Sequence, residues 1–246
     1  MFLPHAEGSL RDAELIIFYW LDEKLKQELV AAAQQVFYPF GRPGKIAEAS
    51  SFEELFCRTE ARYACFLDSH EKTYWLFSRA RKFWPELRLL VLDAHPDCFN
   101  DEQPVNYQNF IYYIIKENII EPENLLLVGL RNPGAGELEF LEQAGVKYIT
   151  AFEFFDAPES CLAEVRKFCS RPVYVSLDLD VLSCWTVRWP EPLGLSEREV
   201  YKLIKSVLPS IKVLDIAELF PGGSQQEKVY YIKYCWYIVL LLAVKT

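Results

Sequence analysis

Two short runs concentrate side chains that can hold a divalent metal. Asp93-Ala94-His95-Pro96-Asp97 sets two carboxylates and an imidazole at alternate positions, and Asp178-Leu179-Asp180 sets two more carboxylates the same way. In an extended chain, alternate side chains point to one side, so each set can face a common point. Carboxylate oxygen together with imidazole nitrogen suits a first-row divalent ion such as manganese. A D-x-H-x-D run is expected by chance only ~0.005 times in this composition, against ~0.4 times for D-x-D, so the first run carries the signal. The plain alternative for an Asp after a strand is a helix cap, and that is the reading for Asp22, Asp68 and Asp156. It fails for Asp93, His95 and Asp97 together, because carboxylates gathered at a buried rim are costly without a cation.

The elements that would position these residues are legible as apolar runs. Strands are expected over 13–20, 62–67, 87–93, 125–130, 146–150, 172–180 and 211–218. Helical patterns lie between them at 22–37, 52–57, 72–83, 105–116, 136–143, 159–168, 197–207 and 225–244. Ser51 with Glu54 and Ser196 with Glu199 have capping-box spacing. Alternation of strand and helix implies an α/β fold, a mostly parallel sheet in a three-layer α/β/α arrangement. The near-continuous apolar strands agree, since strands covered on both faces need no polar side. Ligands bind such sheets at the carboxyl ends of the strands. There the sequence has Asp68-Ser69-His70, the Asp93–Asp97 run, the Asp178–Asp180 run and Glu218, all expected on one rim.

The chain has 246 residues, which suits a single α/β domain over 1–246. Hydrophobic residues make up 51% and charged residues 25%, which excludes a disordered or fibrous chain. A net charge of -9 argues against nucleic acid or an anionic membrane as partner. The seven cysteines are odd in number and form no C-x-x-C pair, which points to a reducing cytoplasm rather than a disulfide framework. The first residues contain no basic-then-apolar signal. The apolar run from Val229 to Val244 is interrupted by Lys233 and is shorter than the ~20 residues of a membrane helix, so it reads as a buried final helix.

Taken in order, the motifs resemble those of the arginase/agmatinase (ureohydrolase) family. Asp93–Asp97 resembles its D-A-H-x-D and Ser176–Asp180 its S-x-D-x-D; Asp68-Ser69-His70 is similar to a G-D-H ligand motif. Gly129-Leu130-Arg131 with Glu137, Gly194–Glu199, and Asp215-Ile216-Ala217-Glu218 with Pro221 extend the likeness over residues 62 to 246. The first 60 residues match poorly. The resemblance implies an arginase-like fold and two divalent ions, most simply Mn(2+). One ion would take His70, Asp93, Asp97 and Asp178; the other would take Asp93, His95, Asp178 and Asp180. Asp93 and Asp178 would bridge, and a hydroxide between the metals would attack a C–N bond of a guanidino or amide compound. The residue at Glu218 would hold the guanidinium. Four aspartates offset two divalent ions, so the hydroxide and Glu218 leave the site negative, which favours a small cationic substrate.

The chain departs from the family around the substrate. The segment Cys98–Phe110 contains no His, where the family places one for proton transfer. Ser183-Cys184 stands where the family has D-P, and the following loop is short and carries Trp185 and Trp189. Asp101 and Glu102 are the candidate replacement proton carriers, with Tyr107 a weaker one. Two alternatives to a ureohydrolase stay open: an amide deacetylase of the same fold, and a metal-binding protein without catalysis. Homo-oligomerisation is also left open.

Overall fold

The computed structural model of the chain describes residues 12–36, 45–100, 102–183, 189–219 and 224–243. Asp101, Cys184, Trp185 and Pro221 therefore lie outside the described residues. Eight strands form one sheet: β1 (Leu15–Trp20), β2 (Ile46–Glu48), β3 (Arg62–Leu67), β4 (Arg88–Leu92), β5 (Leu125–Leu130), β6 (Lys147–Thr150), β7 (Val173–Asp178) and β8 (Ile211–Ala217). Their order is β2-β1-β3-β8-β7-β4-β5-β6. Every pairing is parallel.

The helices are α1 (Glu23–Ala33), α2 (Lys72–Phe83), α3 (Phe110–Lys116), α4 (Glu137–Ala144), α5 (Ala151–Asp156), α6 (Pro158–Phe168), α7 (Glu197–Val207) and α8 (Gln225–Leu242). Alternation along each strand feeds two cores. Phe66, Leu90, Leu92 and Val175 face a core shared with α1, α6, α7 and α8. Cys65, Leu67, Leu89 and Val91 face the other, shared with α2, α3 and α4. This is the expected three-layer α/β/α architecture. The final helix α8 packs Cys235, Trp236, Ile238 and Val239 into the first core. Among the described residues, no helix is long and apolar enough to cross a membrane.

The register places the chemistry. Leu92 pairs with Leu177, Leu177 with Ile216, and Ile216 with Phe66. The four central strands β3, β8, β7 and β4 therefore end level with one another, and the residues that follow them share one rim. Gly129 supports this alignment. It has φ +101°, and a Cβ there would lie 2.5 Å from Val181 Cγ2 and 3.0 Å from the Asp93 carbonyl oxygen. Only glycine lets β5 pass this close beside the end of β4.

Several local expectations need correction. β2 has three residues, too few to show a pattern, and was not foreseen. The expected helix at 52–57 is a single 3-10 turn, Phe52–Glu54, that Phe56 ends at φ 62°. Ser51 makes no side-chain cap there; the Glu54 carboxylate instead accepts from Ser50 N at 2.7 Å. The Ser196–Glu199 capping box does form. α5 was also unforeseen and starts at its own box, Thr150 with Glu153. Of the expected Asp caps, Asp22 accepts from Leu25 N at 3.0 Å. Asp68 accepts from Lys72 Nζ, and Asp156 is the last residue of α5. The six described cysteines are free.

Candidate metal centre

Short local bonds hold the ligand runs in place. After β4, His95 N donates to Asp93 Oδ1 at 2.7 Å, which turns the chain sharply. Asp97 then takes φ 49°, a left-handed conformation uncommon for a non-glycine residue and typical of functional turns. After β7, Asp180 N donates to Asp178 Oδ1 at 2.8 Å, and Asp180 Oδ1 accepts from Ala94 N at 3.1 Å, joining the two runs. After β3, His70 enters the same space, and after β8 Glu218 does so at φ 54°. Glu218 accepts from His70 N at 3.2 Å.

The side chains converge into two compact groups, His70–Asp93–Asp97 and Asp93–His95–Asp180. Asp93 belongs to both. His70 Nδ1 lies 3.0 Å from Asp93 Oδ2, 3.1 Å from Asp97 Oδ2 and 3.3 Å from Asp178 Oδ2. His95 Nδ1 lies 2.8 Å from Asp180 Oδ2 and 3.7 Å from Asp93 Oδ1. Asp178 thus approaches the first group through His70 but belongs to neither compact triad.

The orientation of His70 follows from hydrogen-bond direction. Its Nε2 lies 2.9 Å from Ser176 Oγ. Ser176 gives its single hydroxyl proton to Asp215 Oδ1 at 2.7 Å, so its oxygen accepts from the ring. Asp215 is fully buried and also takes Thr73 Oγ1 at 2.9 Å and the Tyr174 hydroxyl at 2.5 Å. The ring therefore turns Nδ1 toward the carboxylates.

The electrostatics call for positive charge. Asp93, Asp97, Asp178, Asp180 and Glu218 are all buried around two imidazoles, five carboxyl groups against two bases, so they cannot all ionise there without added positive charge. Burial and the charges of neighbouring aspartates raise Asp97, Asp178 and Asp180 above the usual carboxylate range. Burial works the same way on Asp93, but His70 and His95 outweigh it and hold that carboxyl low. Burial also opposes protonation of His95, yet Asp180 and Asp93 push its imidazole up to about 12. Asp93 Oδ2 is buried without a hydrogen bond, despite its closeness to His70. Such an orphaned oxygen is costly unless something positive completes it. Oxygen and imidazole donors around an unsatisfied carboxylate fit divalent ions.

His70, His95, Asp97, Asp178 and Asp180 form the floor of a cavity of ≈ 400 Å³, with Asp93 behind them and walls that include Phe99, Tyr107, Glu137, Trp189 and Glu218. The structure brings together His70, Asp93, His95, Asp97, Asp178, Asp180 and Glu218. It does not bring Glu102, which is exposed at φ 56° and is not among the residues lining the cavity. Three supports surround these groups; the sequence singled out Glu137 and Arg131 without giving them a role and missed Glu191. Glu137 accepts from Cys98 N at 2.9 Å and from Gly134 N at 2.6 Å, tying the segments after β4 and β5. Arg131 donates to Asp180 O at 2.6 Å and to Pro192 O at 2.8 Å, fastening the segment before α7 to the rim. Glu191 lies against His95. The G-L-R run and the Glu that follows it drew attention to Arg131 and Glu137, but nothing in the sequence marks Glu191, which stands between two prolines in an irregular stretch.

An all-parallel sheet covered by helices on both faces, with carboxylates and imidazoles gathered at its central strand ends, defines the class of fold and site, and comparison with known proteins gives the family. The sequence profile of the arginase family matches residues 69–232. An agmatinase from Chromobacterium violaceum is 29% identical over 175 residues, 68% of this chain and 53% of that protein. An N(1)-aminopropylagmatine ureohydrolase from Thermus thermophilus is 30% identical over 162 residues, 63% of this chain and 54% of that protein. The chain spans about half the length of these curated relatives. A Trypanosoma cruzi formiminoglutamase solved with Mn2+ has the same fold, with a TM-score of 0.82 at 14% identity over 97% of this chain and 96% of that one. The chain belongs to the arginase family.

Proposed function

We propose that this chain is a hydrolase that uses two divalent ions, manganese the expected native one, to cleave a C–N bond of a guanidino or amide compound. The observation that carries this reading is the pair of donor groups sharing Asp93, with one oxygen of that carboxylate buried and unsatisfied. His70, Asp93, Asp97 and Asp178 would hold one ion; Asp93, His95, Asp178 and Asp180 would hold the other. When bound, such ions supply Lewis acidity, which yields a nucleophile from water near neutral pH and polarises the bond under attack.

The chain's own residues do the rest. Ser176 and Asp215 hold His70 in the tautomer that presents Nδ1 inward. Glu218, fixed by His70 N and lining the cavity, offers a carboxylate to a cationic guanidinium or amine. Tyr107 and Trp189 add aromatic surface to the cavity walls. Relatives named agmatinase, proclavaminate amidinohydrolase and formiminoglutamase support this class of substrate.

A specific feature favours a second reading, metal binding without turnover. The segment Cys98–Phe110 has no His, and Glu102 stays outside the cavity. One experiment separates the two. The manganese-loaded chain is assayed for urea or ammonia release from arginine, agmatine, formimino and amide compounds. Turnover of about 1–10³ per second on one of them supports the hydrolase. Two bound ions with no release from any compound supports the second reading.

A further inference from the structure

Two groups meet the outward nitrogen of His95. Nε2 lies 3.5 Å from Glu191 Oε1 and 3.3 Å from Asn132 Nδ2. Asn132 Nδ2 donates to that same Glu191 oxygen at 2.7 Å. Both partners are anchored through backbone. Asn132 N donates to Ala94 O at 3.1 Å, one residue before His95. Arg131 Nη2 donates to Glu191 O at 3.1 Å. The Glu191 side chain is 23% exposed and lines the cavity, so it is a held carboxylate rather than a solvated one.

Proton counting assigns it a task. In the metal-bound form, a neutral His95 carries one ring proton. Nδ1 faces Asp180 and Asp93 and belongs to the second donor group, so its lone pair is needed there. The proton must then sit on Nε2, where it requires an acceptor. Asn132 presents N–H to this point and already donates to Glu191, so it cannot accept. The Glu191 carboxylate can. Metal-bound imidazoles are commonly oriented, and made more basic, by such an outer carboxylate.

We infer that Glu191 is a positioning residue for the Asp93–His95–Asp180 group, accepting the His95 Nε2 proton and so fixing the tautomer that turns Nδ1 to the ion. The inference rests on the two-ion reading above. It leaves His70 and its ion to a separate support, Ser176 with Asp215.

Manganese titration by calorimetry tests it on the full chain and on Glu191→Ala, Glu191→Leu and Glu191→Gln, with the metal-free melting temperature measured alongside. Wild type is expected to bind two ions. In Glu191→Ala, one of the two should weaken by roughly 10–100-fold. The other ion's affinity and the metal-free melting temperature should stay at wild-type values. Glu191→Leu removes the acceptor while keeping bulk, and is read the same way if the Ala variant does not fold. Glu191→Gln keeps an acceptor oxygen and should recover most of the loss. Unchanged affinities in the Ala or Leu variant would overturn the inference, as would a Gln variant as weak as Ala. Equal loss of both ions with a lowered metal-free melting temperature would overturn it too, by showing a merely structural role. Two ions in wild type with any of those outcomes leaves the hydrolase reading standing. Fewer than two ions in wild type contradicts that reading and the inference together.

Discussion

The floor of the cavity and its mouth are built by different means. The floor comes from residues that leave the ends of four adjacent strands, β3, β8, β7 and β4, whose levels are set by ladder register. A two-residue spacing in sequence there becomes a shared direction in space. The mouth comes from irregular segments: Phe99 and Tyr107 before α3, Asn132 and Gly134 after β5, Trp189 and Glu191 before α7. These meet through long-range bonds, such as Arg131 to the carbonyls of Asp180 and Pro192. Sheets hold chemistry in place, and loops are where selection between substrates varies. The floor gathers the carboxylates and imidazoles of the sequence motifs, while the segment Cys98–Phe110 at the mouth contains no His.

The largest effect should come from the floor. Asp93→Ala removes a carboxylate assigned to both ions, so elemental analysis should find neither ion and turnover should fall to background. Retention of one full equivalent would show that the groups do not share Asp93. Chelation should come next. At free manganese a hundredfold above Kd, binding stabilises the native state by about 2.7 kcal/mol. A chain of this size gains roughly 2–4 °C in Tm per kcal/mol, so stripping the metal should lower Tm in calorimetry by ~5–10 °C for each ion removed.

Glu218→Gln probes the boundary between floor and mouth. A hydrogen bond to a charged group contributes about 1.5–3 kcal/mol, so kcat/KM for a cationic substrate should fall by roughly 10- to 100-fold while two ions stay bound. Loss of an ion in that variant would move Glu218 into the ligand set. Gly129→Ala forces a side chain into φ +101° and against Val181. Strain of this kind costs about 1–3 kcal/mol, visible as a lower denaturation midpoint together with weaker manganese binding. Glu102→Gln should do nothing measurable to turnover, because Glu102 is exposed and does not line the cavity. A slowed Glu102→Gln would mean that the mouth closes differently around substrate.

The same contrast explains what could be read from sequence. Apolar runs announced seven of the strands, and the polar residues just beyond four of them made the floor. β2 was too short to show periodicity, and α5 depended on Thr150 and Glu153 more than on an apolar stripe. Glu191 had no local signature at all. Its significance arises from Asn132 and His95, which are 59 and, by number, 96 positions away in sequence and meet it only in the folded chain. Asp215 was seen as part of a motif, but its burial against Thr73, Tyr174 and Ser176 follows from strand neighbours that no linear pattern records.

The central claim is that the floor holds two divalent ions around a shared Asp93. Manganese content per chain, measured by elemental analysis after reconstitution and removal of free metal, tests it most directly. Two equivalents are predicted. A single equivalent, or less than half of one, would contradict the account.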